Sequence, residues 1–171
     1  FDLDYYGGPG LQVTPKPCEG GGATFEMVSW VTDGDENFTV MYSVQDEDGN
    51  EVASAVRPAD QTKVTVYVPE AEEWNIDDPC LYTVTASLLR RNEIYDEVTV
   101  RAGVRNFSCD PEKGFCINGK WTPLRGVSRH QDRLYKGNAL TREEHYEDAW
   151  MIKELGANTI RLAHYQHSQD F

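Results

Sequence analysis

Two short apolar runs flank one amphipathic helix in the last third of the chain, and this order limits the fold more than any other feature. The first run, 122–127, leads into a polar cluster that contains His130, and the second run, 158–163, leads directly into His164. Strand-length runs separated by a helix are typical of a βαβ unit, in which the two strands are parallel. The segment therefore predicts two parallel strands that each end at a histidine.

The helix between the two runs has clear signals at both ends. Thr141 and Glu144 have the spacing of a capping box, in which each side chain satisfies an unpaired backbone N–H group, and Gly156 closes the helix. Apolar residues recur at every third position and predict the buried face of the helix. They are Tyr146, Ala149, Ile152 and Leu155.

The parallel arrangement predicts a shared site for the two histidines. The carboxyl ends of neighbouring parallel strands lie at one edge of a sheet, about 4.8 Å apart, and ligands bind at that edge in parallel α/β folds. A neutral imidazole can both donate and accept a hydrogen bond, so His130 and His164 predict a polar pocket at this edge. The alternative is two histidines whose hydrogen bonds are satisfied within their own loops.

Three segments of residues 114–171 resemble the start of the catalytic barrel in glycoside hydrolase family 2, and most closely that of its β-galactosidases. They are GFCINGK, LRGVSRHQD and GANTIRLAHYQH, in the order and spacing of the family. The resemblance implies that residues 122–171 form the truncated N-terminal part of a TIM-barrel catalytic domain, the first βαβ portion of a (β/α)8 barrel. Residues 107–121 are then a connecting segment with a hairpin.

The resemblance also implies an activity for the parent protein, the hydrolysis of terminal β-galactosides by a retaining mechanism. Its two catalytic glutamates lie beyond Phe171, so this chain contains no catalytic residue and is expected to be inactive alone. Family 2 β-glucuronidases and β-mannosidases share the architecture, and the sequences RHQD at 129–132 and HYQH at 164–167 favour a β-galactosidase.

Four residues are candidate substrate-binding residues. By resemblance, His130 and His164 contact the sugar and Arg161 supports the nucleophilic glutamate, for which a simple ion pair inside the barrel is the alternative. Asp132 is the fourth candidate, and its alternative role is to cap a loop.

A metal site is not predicted, although His130, Asp132, His164 and His167 provide four possible ligands. A His-x-x-His pair at an irregular strand exit holds two imidazoles on one face less reliably than an i, i+4 pair on a helix does. The resemblance implies magnesium or sodium as cofactors of a homo-oligomeric parent, but no ligand for either ion is assignable here.

The first hundred residues show a different pattern, apolar residues at alternate positions in short runs separated by turns. Residues 1–10 are predicted to be a linker and residues 11–106 an antiparallel β-sandwich of immunoglobulin type. The seven predicted strands are 11–14, 23–32, 37–45, 51–56, 62–68, 80–89 and 94–103. Such a sandwich could also be a non-catalytic carbohydrate-binding or adhesion module. The mainly β chain is thus predicted to be an immunoglobulin-like sandwich followed by the start of a barrel.

One predicted strand, 23–32, has an irregular pattern. Phe25 and Met27 alternate in one direction, whereas Val28 and Trp30 alternate in the other. Either a β-bulge or burial on both faces accounts for this shift, and the sequence leaves both open.

Composition excludes some partners. A formal net charge of −13 repels phosphate backbones, so nucleic acid is not an expected partner. No apolar run approaches the roughly 20 residues of a membrane helix, so the protein is predicted to be soluble, with bacterial cytoplasm, periplasm and secretion all open. The four cysteines lack CxxC spacing and are expected to be free thiols, with a bridge between Cys109 and Cys116 as the alternative.

Overall fold

The chain divides into two compact units in a computed structural model that describes residues 2–5, 8–33, 35 and 37–171. The first unit runs to Ser108 and includes Ile117–Lys120, and the second comprises Cys109–Cys116 and Trp121–Phe171. Phe1, Tyr6 and Gly7, which belong to the predicted linker, lie outside the described residues.

The first unit is an immunoglobulin-like sandwich, and all seven predicted strands are present in it. Its strands are β1 (Asp2–Tyr5), β2 (Gly8–Pro9), β3 (Leu11–Pro17), β4 (Ala23–Ser29), β5 (Val31–Thr32), β6 (Phe38–Gln45), β7 (Glu51–Pro58), β8 (Val64–Val68), β9 (Tyr82–Arg90) and β10 (Glu93–Ala102). One antiparallel sheet has the order β10-β9-β6-β7, and the other has the order β3-β4-β8. The inward-facing side chains of these strands form one hydrophobic core.

The irregular pattern of the second predicted strand has a simple cause. Within β4 the burial alternates without interruption. Phe25, Met27 and Ser29 are buried, and Val28 is half-buried. The strand ends at Ser29, and the next residue, Trp30, donates its backbone N–H to the carbonyl of Gly10 at 3.0 Å. No β-bulge interrupts β4, and the half-buried Val28 and Trp30 fit the alternative of burial on both faces.

Residues 2–5 are part of the folded unit, which corrects the prediction of a linker over this stretch. Strand β1 pairs antiparallel with β5, so that Leu3 lies opposite Val31. Leu3 is buried, and its backbone N–H donates to the Asp96 carboxylate at 2.7 Å. A paired backbone and a buried leucine hold this segment in place, and the glycines that follow it obscured the signal.

Tyr82, at the start of β9, ties a loop to the sandwich core. Its hydroxyl accepts a hydrogen bond from the backbone N–H of Glu72 at 2.8 Å, and its ring packs edge-on against Phe25 with 5.2 Å between centroids. Burial raises the pKa of the Tyr82 phenol. A tyrosine near the start of this strand, bonded to upstream backbone, is a hallmark of immunoglobulin-like sandwiches.

Replacing Tyr82 with phenylalanine should lower the free energy of unfolding by about 1 kcal/mol, because the half-buried Glu72 N–H loses its partner. Tyr67→Phe is the matched control, since the Tyr67 hydroxyl is exposed and bonds the Gly21 carbonyl at 3.2 Å, where water can replace it. Chemical unfolding of the two variants measures the difference. Equal losses for both variants would contradict this role of Tyr82.

The second unit contains the start of a TIM barrel. The connecting segment before it contains strands β11 (Phe107–Asp110), β12 (Gly114–Ile117) and β13 (Lys120–Trp121), which form a small sheet in that order. They are followed by β14 (Gly126–Arg129), helix α1 (Arg142–Glu154) and β15 (Thr159–Leu162). As predicted, β14 and β15 pair in parallel, and a capping box between Thr141 and Glu144 opens α1. Among the described residues, no helix has the length and apolarity needed to cross a membrane.

Two details of this unit differ from the sequence prediction. Strand β14 covers Gly126–Arg129 and leaves 122–125 outside, where Pro123 cannot donate to a strand ladder. The predicted apolar face of α1 is buried only in part: Ala149 and Ile152 are half-buried, whereas Tyr146 and Leu155 are 71% and 77% exposed and the polar His145 is 1% exposed. The helix turns His145 and Asp148 toward the strands because the buried side chain of Arg129 lies there.

All four cysteines are free thiols in the structure, including Cys109 and Cys116. Burial, reinforced by the nearby carboxylates of Glu47 and Glu72, raises the pKa of the Cys80 thiol. Cys80 therefore stays protonated at neutral pH and serves as an apolar core residue.

Gly126 permits the close pairing of β14 with β15. It lies opposite Thr159, and a Cβ atom at position 126 would lie 1.9 Å from the Thr159 carbonyl oxygen. Any side chain at this position must push the two strands apart.

Replacing Gly126 with alanine should therefore destabilise the strand pair by about 2 kcal/mol, the typical cost of overpacking. Ser128→Ala changes an exposed residue of the same strand and should cost much less. Hydrogen exchange of the β14 and β15 amides in the full-length protein gives the measurement. Unchanged protection in Gly126→Ala would contradict the close approach.

Candidate functional site

The structure brings together the two histidines that follow the parallel strands. His130 comes directly after β14 and His164 lies two residues after β15. Their ring centroids are 5.2 Å apart and their planes meet at 65°. Both side chains are exposed. Two accessible imidazoles at one strand edge can offer several hydrogen-bonding nitrogens to a single polar ligand.

The other two candidates lie nearby. Arg161 is paired with Ser128 across the strands, and its guanidinium nitrogen lies 3.5 Å from Nδ1 of His164, a weak contact that leaves the cation available. Asp132 is exposed and lines, with His130, an open cavity of about 330 Å³ bordered by α1. Neither Arg161 nor His164 lines that cavity. Arg161 therefore contacts the histidine pair through His164, whereas Asp132 shares only the cavity with His130.

The two loops that carry the histidines are bonded to each other. The backbone N–H of Gln131 donates to the Tyr165 hydroxyl at 2.8 Å, and the Gln131 side-chain oxygen accepts from the N–H of Ser168 at 2.7 Å. The Tyr165 ring also lies 6.1 Å from the ring of His130. These contacts fix the spacing between the two loops.

A buried arginine lies beneath this edge of the sheet. The Arg129 side chain is 5% exposed, and its Nε and Nη2 atoms donate to one oxygen of Asp148 at 3.0 and 2.5 Å. Its Nη1 and Nη2 atoms each lie 3.0 Å from an Nδ1 atom, in His167 and His145 respectively. The guanidinium also stacks over Phe171, 3.9 Å from the ring centre. One side chain thus contacts both α1 and the end of the chain.

Further charges surround Asp148 on the solvent side of this cluster. Its second oxygen accepts from Arg133 at 2.6 Å, and Arg133 also pairs with Glu147 at 2.8 Å. Burial alone raises the pKa of the Asp148 carboxyl, but hydrogen bonds and charges from Arg133 and Arg129 outweigh it, so the pKa lies below its ordinary value. A hydrogen bond from Lys136 lowers the pKa of Glu144 in the same way.

The environment of His167 does not fit a metal ligand. Its Nδ1 faces Arg129, and its Nε2 lies 3.1 Å from the carbonyl oxygen of Ala163, so both ring nitrogens already have protein partners. Within the described part of the chain, no group of three or more His, Cys, Asp or Glu side chains could hold a metal ion.

Sequence reasoning did not find the buried cluster. A signal was present, because polar residues recur at 141, 144, 145 and 148, a spacing that puts them on one side of a helix. The prediction relied on the apolar positions 149, 152 and 155, which lie on the same side of the helix as this stripe, and assigned no role to the polar ones. A basic residue at the end of a strand beside such a polar stripe would have indicated a buried ion pair.

Comparison with known proteins identifies the family. Residues 11–105 match the family described as Glycosyl hydrolases family 2, and residues 111–171 match its TIM barrel domain. The chain belongs to glycosyl hydrolase family 2. The sandwich and the strand–helix–strand unit are therefore consecutive parts of one family architecture.

Similar family 2 proteins differ in their named activity. The crystal structure of an FMN-binding β-glucuronidase from Facaelibacterium prausnitzii L2-6 is 65% identical with a TM-score of 0.94, covering 99% of this chain and 27% of that one. A β-glucuronidase of Bacteroides fragilis is 50% identical over 93 residues, which are 54% of this chain and 13% of the relative. A β-galactosidase of Bacteroides ovatus is 34% identical over 170 residues, covering 94% of this chain and 20% of the relative. The chain thus spans about a quarter or less of the length of these proteins.

Neutralising Asp148 should change the acid sensitivity of this unit. Because the pKa of Asp148 is lowered in the folded protein, its ionised form stabilises the fold at neutral pH, and this stabilisation is lost as the pH falls below about 4. Asp148→Asn should cost about 3 kcal/mol at pH 7, since it leaves Arg129 buried without its counter-charge, and should flatten the decline in stability below pH 4.

Glu154→Gln is the matched control, an exposed carboxylate near the other end of the same helix. The midpoint of thermal unfolding, followed from pH 7 to pH 3 in the full-length protein, provides the comparison. An Asp148→Asn variant with wild-type stability and wild-type pH dependence would show that the buried pair does not stabilise the fold.

Proposed function

We propose that this chain supplies one wall of the sugar-binding site in a family 2 enzyme that hydrolyses terminal β-glycosides. The observation that carries the proposal is the pair of exposed imidazoles, 5.2 Å apart, at the carboxyl ends of adjacent parallel strands. His130 and His164 bind ring hydroxyls by donating and accepting hydrogen bonds. Family membership supports this role, because in barrels of this type the active site lies at the carboxyl ends of the strands.

The proposed substrate class is terminal β-glucuronides. Support comes from the 65% identity to a β-glucuronidase over nearly the whole chain and the 50% identity to a second one over about half of it. Terminal β-galactosides are the second candidate, favoured by the 34% identity to a β-galactosidase over 94% of the chain. The prediction of a β-galactosidase rested on the sequences at 129–132 and 164–167.

The proposed reaction is a retaining hydrolysis with two carboxylates about 5 to 5.5 Å apart, one the nucleophile and one the acid/base. Both are glutamates outside this chain, so we expect no turnover by the 171 residues alone. His130 and His164 hold the sugar so that its hydroxyls gain hydrogen bonds as the transition state forms, and Arg161 supports the nucleophilic carboxylate. Asp132 has a lesser role at the rim of the site, beside His130.

Replacing His130 or His164 with alanine in the full-length protein should lower kcat/KM for a chromogenic β-glucuronide on the order of 100-fold, because hydrogen bonds to sugar hydroxyls strengthen in the transition state. Lys153→Ala is the matched control, because Lys153 is an exposed residue of the same unit. His145→Gln is unsuitable as a control, since the His145 ring contacts Arg129.

Turnover of a β-glucuronide and a β-galactoside by the same preparation decides the substrate class. Faster hydrolysis of the glucuronide supports the proposal, and hydrolysis of the galactoside alone overturns it in favour of the second candidate. Alanine variants of both histidines with wild-type kcat/KM on either substrate would contradict the sugar-binding role.

A further inference from the structure

Arg129 determines the protonation pattern of two buried histidines. A guanidinium has five N–H donors and no acceptor, so the imidazole nitrogens that face it must accept. Both His145 and His167 face Arg129 through Nδ1, at 3.0 Å. Each ring in this arrangement is therefore neutral and carries its proton on Nε2.

The tautomer of His167 has a direct structural consequence. With its proton on Nε2, His167 donates to the carbonyl oxygen of Ala163 at 3.1 Å. The N–H of Ala163 in turn donates to the backbone carbonyl of Arg129 at 3.1 Å. Ala163 is buried and immediately precedes His164. Both polar groups of the Ala163 backbone are thus held by contacts that lead to Arg129, one directly and one through His167.

A second path leads from the same ring to His130. The ring of Tyr165 stacks on His167, with 5.1 Å between centroids and 19° between planes. The Tyr165 hydroxyl accepts the backbone N–H of Gln131, the residue after His130. His167 therefore links the supports of both site histidines without being exposed to a ligand.

We propose that Arg129 is a positioning residue of the sugar site: it fixes the Nε2-protonated tautomer of His167, which orients the backbone that carries His164. The inference rests on the proposed sugar-binding role of His164. A buried guanidinium, held in turn by Asp148 of α1, makes the orientation rigid because four of its N–H groups are directed at fixed acceptors. Lysine cannot replace it, since an ammonium is a point charge without the planar fork.

The tautomer is tested directly in the full-length protein with 15N-labelled histidines at neutral pH. Long-range 1H–15N spectra should show His167 neutral and protonated at Nε2, with the signal assigned by its loss in His167→Gln. In Arg129→Lys, the signal should move toward a mixture of tautomers. A wild-type His167 protonated at Nδ1, or at both nitrogens, would overturn the inference irrespective of any activity.

Kinetics test the connection to the site. Arg129→Lys should lower kcat on the preferred β-glycoside on the order of 100-fold with a smaller change in KM, because small displacements of a positioning group act mainly on the transition state. His167→Gln keeps a donor near the Nε2 position and should retain more activity than His167→Asn, which keeps only the acceptor toward Arg129. Arg142→Lys, an exposed arginine of α1, is the matched control and should leave kcat unchanged.

A double-mutant cycle separates positioning from a general loss of stability. If Arg129 acts mainly through His164, adding Arg129→Lys to a His164→Ala background should lower kcat about tenfold or less further, because only the path to His130 remains. Fully additive losses, or equal activity of the two His167 variants, would overturn the inference while leaving the proposed function intact. A His164→Ala variant with wild-type activity would instead overturn the proposed function, and this inference with it.

Discussion

The ion pair between Arg129 and Asp148 is the contact on which the barrel unit depends. The Arg129 side chain is 5% exposed and needs a counter-charge, because an unpaired buried charge costs several kcal/mol. Asp148 provides the counter-charge from α1, and two imidazoles accept two further N–H groups. This requirement determines which side of the helix faces the strands and where the segment after β15 must lie. The loops of the two exposed histidines are anchored to the residues that satisfy it.

The sandwich is stabilised mainly by the burial of apolar side chains. Its core consists of apolar side chains at alternate positions of seven strands, supported by one buried tyrosine hydroxyl that accepts a loop N–H. Burial of apolar area is non-directional, so the sandwich tolerates changes of side-chain shape better than the polar cluster of the barrel unit does. Substitutions in the two units should therefore differ in character, with gradual losses in the sandwich and sharp ones around Arg129.

Sequence patterns predicted the positions of strands and helices better than they predicted which residues of those elements are buried. Alternation located all seven sandwich strands, and the Thr141 and Glu144 pair located the start of α1, because both signals are local. The buried face of α1 was predicted only in part, because a helix that covers an arginine buries polar residues such as His145 beside the half-buried Ala149 and Ile152. The strand at 2–5 was missed because its stability comes from partners nearly thirty and more than ninety residues away, Val31 and Asp96.

For the site, local sequence placed His130 and His164 at one sheet edge, since parallel strands joined by a helix leave no other arrangement. It did not distinguish the role of Arg129 from that of the exposed Arg161, because burial depends on what the helix contributes. The central claim is that the exposed pair of imidazoles binds the sugar. A crystal structure of the full-length protein with a bound glycoside inhibitor tests it most directly. We predict that ring nitrogens of His130 and His164 lie about 2.7 to 3.2 Å from sugar hydroxyls. An inhibitor bound in the barrel without contact to either ring would contradict it.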